Sequence, residues 1–338
     1  MTEEMYKRLN NYLNDIFMEL NISSEIFVNN LLQFFKINNI VSNYDQRINN
    51  KYVENKLTFN DLYILAREII EKINPNYLIQ YDELLKNGEL DFSFNNEYDD
   101  SHCTYTISKN KTIKLININR CFNYGDVITL IHEFIHYTNV PKKHSQTHEF
   151  FTEFISIYFE LYAKKYLIEN KNIPIDEIMI NSRIISLFRQ NNELYKYIVI
   201  LLAYDKLGNI NKNTIKDINN ILRINDKYFE KECIQFLSKL DSINNTSSEN
   251  NKTKNMANLI NYHYKYIIGT ILAYYAIENC KLEDMVKLNN NISSEQYSYL
   301  GVDDILENIG IYMSDENIEK SLTIIKNSIH NFEMEKTK

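Results

Sequence analysis

Two histidines and a glutamate lie within five residues of one another near the middle of the chain. The segment His132-Glu-Phe-Ile-His136 has the pattern H-E-x-x-H and follows apolar residues at helical spacing. Residues four apart on a helix lie on one face, so both imidazoles can direct a nitrogen at one metal ion. Glu133 would lie beside that ion, where it can take a proton from an activated water and pass it to a leaving amine. The pattern therefore predicts one zinc ion (Zn²⁺) per chain and hydrolytic chemistry.

A third metal ligand is expected after this motif, because a catalytic zinc ion usually has three protein ligands. The longer pattern H-E-x-x-H-x-x-G-x-x-H is excluded, since Asn139 and Lys142 occupy the positions of its glycine and third histidine. The ligand should then come from the following helix. The candidates are two histidines, which we expect to be ordinary surface residues, and three glutamates that share a helix face: His144, His148, Glu149, Glu153 and Glu160. Spacing alone leaves the choice among the glutamates open.

The elements that must position these residues are mainly helical. Apolar residues at helical spacing predict helices over residues 5–20, 26–40, 59–73, 126–138, 149–167, 262–277 and 315–332. Asp126 is predicted to cap the helix that carries the motif. Alternating β-branched residues predict two strands of a small sheet, over residues 104–107 and 112–118. The polar segment 242–255 is predicted to be a mobile loop.

Composition narrows the classes of partner. The net charge is −8 with no long basic run, which argues against nucleic acid. The four cysteines are scattered without a C-x-x-C pair, so they are interpreted as reduced thiols in a cytoplasmic protein. The chain begins without an apolar leader and has no stretch of eighteen uncharged apolar residues, so neither secretion nor membrane insertion is expected.

Two motifs resemble those of a known family. The run from Gly125 to His136 resembles the metal-binding helix of the oligoendopeptidase F and thimet oligopeptidase family of zinc metallopeptidases. The run Glu153-Phe-Ile-Ser-Ile-Tyr-Phe-Glu160 resembles its second motif, which implies Glu153 as the third ligand, with Ser156 and Glu160 in supporting positions. Segments 81–91, 262–269 and 301–311 are also similar, so the resemblance covers roughly residues 50 to 332.

The resemblance implies a mainly α zincin (thermolysin-like, gluzincin) catalytic domain with a small β-sheet beside the metal helix. We expect one domain over residues 1–338. It would comprise N-terminal helices (1–75), a small sheet region (76–125), metal-binding helices (126–240) and C-terminal helices (256–338). Only the catalytic half of the family is matched, and a shortened N-terminal region is expected to leave the cleft more open.

The resemblance also implies a reaction, which is hydrolysis of peptide bonds in short or unfolded peptides. A phenol of Tyr262, Tyr264 or Tyr266 could donate to the oxyanion, and Tyr264 is favoured. The family's histidine before this tyrosine-rich helix has no counterpart, since Met256 stands near that place and His263 lies inside the helix.

Two alternatives to a general oligopeptidase remain. One is a zinc-containing peptide-binding or regulatory module with weak or no catalysis, and the intact Glu133 argues against it. The other is a processing enzyme dedicated to one partner peptide. The chain is expected to be a monomer or a homodimer.

Overall fold

The computed structural model describes residues 3–20, 57–92, 101–107, 112–119, 122–140, 145–173, 196, 199, 212–221, 231, 233–235, 249–294 and 296–335. Within these residues the helices are α1 (Glu3–Leu20), α2 (Phe59–Ile73), α3 (Tyr77–Lys86), α4 (Tyr124–Thr138), α5 (Gln146–Lys171), α6 (Lys212–Ile221), α7 (Glu249–Asn279), α8 (Leu282–Asn291), α9 (Val302–Glu307) and α10 (Asp315–Glu335). The strands are β1 (Leu90–Asp91), β2 (His102–Ile107) and β3 (Thr112–Asn117). The fold is mainly helical with one small mixed sheet, as predicted.

The chain divides into two compact units. The first comprises residues 1–42 and 185–267, and it contains α1, α6 and the first part of α7. The second comprises residues 43–184 and 268–338, and it contains the sheet, α2 to α5, the end of α7, and α8 to α10. The assignment of residues 1–338 to a single domain stays a prediction.

The sheet of the second unit has the strand order β1-β3-β2. β2 and β3 pair antiparallel, with Cys103 opposite Ile116, and the two-residue β1 pairs parallel with β3. Alternation of β-branched residues predicted β2 and β3, whereas β1 is too short to give a periodic signal. Within the described residues, β2 pairs with β3 alone and is an edge strand.

Helices α4 and α5 form the centre of the second unit. The apolar residues of α4, including Leu130, Ile131 and Phe134, are inaccessible to solvent. Nearly every side chain in the first half of α5 is buried, so that half is enclosed on all sides. Gly269 of α7 packs against α5, where a Cβ would lie 3.4 Å from the Cα of Phe154. A metal site on these two helices therefore has a rigid, densely packed support.

Several helix predictions agree with the structure, and two details differ. The predicted loop 242–255 is wrong for residues 249–255, which form the first turns of α7, because a helix nucleated by its buried part extends at little cost into polar sequence. The cap of α4 is Asn123 rather than Asp126. The helix predicted over residues 26–40 lies outside the described residues. Among the helices that are described, none combines the length and apolarity needed to cross a membrane.

Candidate metal centre

The start of α4 is fixed by side chains that satisfy its exposed amides. The side chain of Asn123 accepts a hydrogen bond of 2.8 Å from the backbone N–H of Gly125. Asp126, in the first turn, accepts one of 2.8 Å from the backbone N–H of Phe122, whose φ is 59°. Asp126 thus holds the residues that precede the helix and places a negative charge at its positive end. The register of α4, and of its histidines, is set from this end.

Three side chains of the second unit direct ligand atoms at one point. Nε2 of His132 and Nε2 of His136 are 2.9 Å apart. An oxygen of Glu153, on α5, is 3.8 Å from Nε2 of His132 and 3.7 Å from Nε2 of His136. His132 and Glu153 are buried, and His136 is partly exposed. The packing of α5 across α4 thus brings a carboxylate to the open side of the histidine pair.

The arrangement fits a zinc ion in both chemistry and size. Two imidazole nitrogens and one carboxylate oxygen form a typical set of three protein ligands for catalytic zinc. The point equidistant from the three atoms lies about 2 Å from each of them, which is the length of a zinc–nitrogen or zinc–oxygen bond. The partial exposure of His136 leaves one side of this point accessible for a further ligand.

Glu160 lies behind His132. Its carboxylate Oε1 is 2.5 Å from Nδ1 of His132. A carboxylate at this distance favours the tautomer that has its proton on Nδ1, and this leaves the Nε2 lone pair directed at the metal point. Glu153 and Glu160 are seven residues apart on α5, two turns on the same face. One helix therefore supplies both a candidate ligand and the group that orients another.

Glu133 occupies a buried position at the edge of the sheet. The backbone amide of Cys103 on β2 faces its carboxyl group and acts to lower the pKa of that group. Burial raises the pKa of the Glu133 carboxyl, and the neighbouring imidazoles partly offset this effect. Burial and the charge of Glu133 also raise the pKa of the Cys103 thiol to about 12, so the thiol is protonated at neutral pH. The H-E-x-x-H motif, the carboxylate of Glu153 and the edge of β2 thus lie close together.

The other candidates for the third ligand lie apart from this donor set. Glu149 is half-buried on the first turn of α5 and is not among the three converging residues. His148 is buried rather than on the surface, which corrects our expectation, and its Nε2 is 3.3 Å from Oγ of Ser293. The first turn of α5 packs inward, and this accounts for the burial of His148. His144 lies outside the described residues.

Ser156 and the three tyrosines have different environments. Ser156 is completely buried on the face of α5 that carries Glu153 and Glu160. Tyr264 is 2% exposed, whereas Tyr262 is 42% exposed, and its ring centre lies 4.8 Å from that of Tyr266, with the two rings tilted by 58°. The tyrosines belong to the first compact unit and the donor set to the second. Their catalytic role stays a prediction.

Two groups outside the sequence motifs contact the site, and the sequence did not predict either of them. The amide of Cys103 is one, and no side-chain pattern could indicate it because the contact is made by the backbone. Lys114 of β3 is another, since its Nζ donates a hydrogen bond of 2.7 Å to the carbonyl of Tyr137, directly after His136. Such contacts join segments that are distant in the chain, so local spacing gives no signal for them.

The sequence matches no protein-family model, and no curated protein matches it. Solved structures do resemble the fold. PZ peptidase A, solved with an inhibitor, is 11% identical with a TM-score of 0.51, and the alignment covers 98% of this chain and 59% of that one. A structure assigned as an oligoendopeptidase F is 13% identical with a TM-score of 0.51 and the same 98% coverage of this chain, against 58% of its own length.

A Bacillus anthracis strain Ames protein, also assigned as an oligoendopeptidase F, is 14% identical with a TM-score of 0.47, and the alignment covers 98% of this chain and 57% of that one. The two structures with a TM-score of 0.51 show that the chain has an oligoendopeptidase F-like fold. The chain spans less than two thirds of the length of all three structures.

Proposed function

We propose that this chain, which has an oligoendopeptidase F-like fold, is a zinc-dependent peptidase in which His132, His136 and Glu153 hold the metal and Glu133 is the general base. The observation that carries the proposal is the convergence of two imidazole nitrogens and one carboxylate oxygen beside a buried glutamate. The structures that share the fold are described as peptidases, which supports the same reaction class.

The protein groups divide the chemistry of peptide hydrolysis. Bound zinc would supply a Lewis acid that polarises the peptide carbonyl and makes water more acidic. Glu133 takes a proton from the attacking water, whose oxygen forms the new bond to the carbonyl carbon. The C–N bond then breaks, and Glu133 passes the proton to the departing amine. The nearby Cys103 amide favours the charged form of the Glu133 carboxylate, which is the form that accepts the proton.

The substrate is proposed to be an extended peptide that lies along the edge of β2. An edge strand can pair with an added strand through main-chain hydrogen bonds, which give affinity without requiring a particular side chain. Cys103 places this edge beside Glu133, so a peptide bound there passes the general base. A short or unfolded peptide can adopt the extended conformation that this mode requires. Tyr264, or alternatively Tyr262 or Tyr266, is proposed to donate to the oxyanion.

The test combines metal content with cleavage. Purified protein is analysed for zinc by mass spectrometry and incubated with a library of short peptides, with and without a chelator. We expect one zinc ion per chain and cleavage that the chelator abolishes and added zinc restores. Glu133→Gln should retain zinc and lose at least about a hundredfold in cleavage rate, because only the proton acceptor is removed.

Glu153→Ala and Glu149→Ala form a matched pair on α5. The first should lose zinc and the second should retain it, because only Glu153 belongs to the donor set. Full zinc content in Glu153→Ala would move the third ligand to Glu149 or His148. One zinc ion without cleavage of any peptide would favour a zinc-containing binding module. A wild-type protein that binds no zinc would refute the proposed function.

A further inference from the structure

A cluster of hydrogen-bonded side chains lies where α4 ends, and we call it the amide clamp. It joins α3, α4 and α8 and consists of Tyr77, Thr138, Asn139 and Asn289. Asn289 is the central residue, because its Oδ1 accepts a hydrogen bond from Nδ2 of Asn139. Its Nδ2 donates to the hydroxyl of Tyr77 at 2.6 Å and to Oγ1 of Thr138 at 3.1 Å. Asn139 and Asn289 are each 2% exposed.

The clamp continues into two further hydrogen bonds. The Tyr77 hydroxyl donates to Oδ1 of Asn290 at 2.8 Å, and the Thr138 hydroxyl donates to the carbonyl of Ile135 at 2.8 Å. Each of the four residues thus has at least one hydrogen-bond partner on a different helix or on the end of α4. Buried hydrogen bonds are directional, and a shift of one residue along α4 would break both bonds that join its end to Asn289. Apolar packing would tolerate such a shift far better.

The clamp acts close to one of the candidate ligands. The backbone N–H of Asn139 donates a hydrogen bond of 3.1 Å to the carbonyl of His136. His132 has Glu160 against its Nδ1. In the described part of the chain, the hydrogen-bond and ion-pair partners of the His136 ring are the other two candidate ligands, His132 and Glu153. The orientation of the His136 ring therefore depends on the position of the last turn of α4. The clamp holds this turn through the side chains of Thr138 and Asn139.

We propose that Asn289 is a positioning residue for the metal centre, which holds the last turn of α4 so that Nε2 of His136 meets the point shared with His132 and Glu153. The inference rests on the proposed metal site and extends it to a residue 150 positions beyond Asn139 in the chain. Asn289 does not belong to the donor set of the proposed metal site, and it acts through Thr138 and Asn139 on the helix end.

The test measures zinc binding rather than turnover. Asn289→Leu is compared with Asn291→Leu, a matched control on α8 whose side-chain amide bonds to the carbonyl of Lys287 in its own helix. Zinc affinity is measured by competition with a chelating dye, and ligand geometry from the visible spectrum of the cobalt-substituted protein. Asn289→Leu should weaken zinc binding about tenfold and alter the cobalt spectrum, while Asn291→Leu should match the wild type.

Additional variants separate positioning from general destabilisation. Ile305→Val removes a buried methyl group from α9, so it should lower the thermal midpoint without a change in zinc affinity. If Asn289→Leu does not fold, Thr138→Val replaces it. This near-isosteric change removes the two hydrogen bonds of the Thr138 hydroxyl but leaves the bond between Asn139 and Asn289, so it should weaken zinc binding by a smaller factor. Zinc affinity and cobalt spectrum equal to the wild type in these clamp variants would overturn the inference. Absence of zinc binding in the wild type would instead refute the proposed function itself.

Discussion

The two histidines of α4 lie one helical turn apart and have the same chemistry, yet they are held in different ways. His132 is buried and has a carboxylate, Glu160, 2.5 Å from its Nδ1. His136 is more exposed and lies in the last turn. There Lys114 donates to the backbone carbonyl of Tyr137, and the amide clamp binds the side chains of Thr138 and Asn139. One ring is therefore oriented by a side-chain partner and the other by anchoring of its helix.

This difference means that the proposed metal site would be supported from two directions. A carboxylate behind an imidazole fixes the tautomer and the ring at once, but it needs a second helix at the right distance. A helix end leaves unsatisfied carbonyl groups, which can be bound by side chains from neighbouring elements. The region around His132 depends on α5, whereas the region around His136 depends on β3, α3 and α8.

The largest effect is expected where the support of His132 is removed. Glu160→Gln keeps the shape of the side chain but removes its charge, so Nδ1 of His132 is held less firmly and Nε2 becomes a weaker donor. Zinc affinity should fall by about 10- to 100-fold, measured by competition with a chelating dye. Glu169→Gln, which changes an exposed carboxylate on the same helix, should leave the affinity unchanged. Equal zinc affinities for the two variants would show that Glu160 does not support His132 as a metal ligand.

A smaller effect is expected at the other end of α4. Lys114 donates to the carbonyl of Tyr137 at 2.7 Å, and its Nζ lies 4.3 Å from the centre of the Tyr137 ring. Lys114→Met removes a hydrogen bond from a charged group, which contributes about 1 to 2 kcal/mol. The thermal midpoint should fall by a few degrees and zinc affinity severalfold, as measured by calorimetry and zinc titration.

The exposed lysine at the end of α3 offers a control for this change. Lys86→Met removes the same charge at a position away from α4. Its thermal midpoint and its zinc affinity should both match those of the wild type. If Lys114→Met lowered stability but left zinc affinity intact, the sheet would support the fold and not the position of His136. The amide clamp would then be the main support of that ring.

The smallest effect concerns the charge next to Glu160. Lys164 lies one turn after it on α5, and burial lowers the pKa of the Lys164 ammonium group to about 7, with Glu160 partly opposing the shift. An unfolded lysine keeps a pKa near 10.4, so between about pH 7 and pH 10 the unfolded chain binds more protons than the folded one. The contribution of Lys164 to stability should therefore rise with pH across this range.

Thermal midpoints of chelator-treated protein measure that contribution. The thermal midpoint of the wild type should rise relative to that of Lys164→Met as the pH increases. The reason is that burial of a charged Lys164 destabilises the folded protein, and this destabilisation is lost when the group is neutral. Lys165→Met changes the exposed neighbour and serves as the control for loss of a lysine from this turn of α5. Parallel pH curves for the wild type and Lys164→Met would mean that Lys164 stays charged beside Glu160.

The amount that could be predicted from sequence differs among the parts of the site. The pairing of His132 with His136 follows from helical spacing, which is a local property. Spacing left Glu149, Glu153 and Glu160 equivalent, and the family resemblance, not the spacing, favoured Glu153. In the structure the packing angle of α5 across α4 brings Glu153 to both imidazoles and Glu160 to the far side of one.

The supporting groups could not be predicted in this way. Asn289 stands in a run of three asparagines that is typical of a solvent-exposed helix end, yet it is buried against Thr138 and Asn139. The burial of His148 and the contact of the Cys103 amide with Glu133 likewise depend on elements far apart in the chain.

Local sequence patterns were enough to predict the mainly helical fold, the two longer strands and the H-E-x-x-H motif on α4. These features depend on residues close together in the chain, where helical and strand periods fix which side chains share a face. Three features depend on tertiary structure: Glu153 is the carboxylate that lies beside both histidines, Glu160 is the one that orients His132, and neighbouring elements hold the end of α4. These three features depend on the packing of α3, α5, α8 and the sheet around α4, and no local period encodes the distances between separate elements.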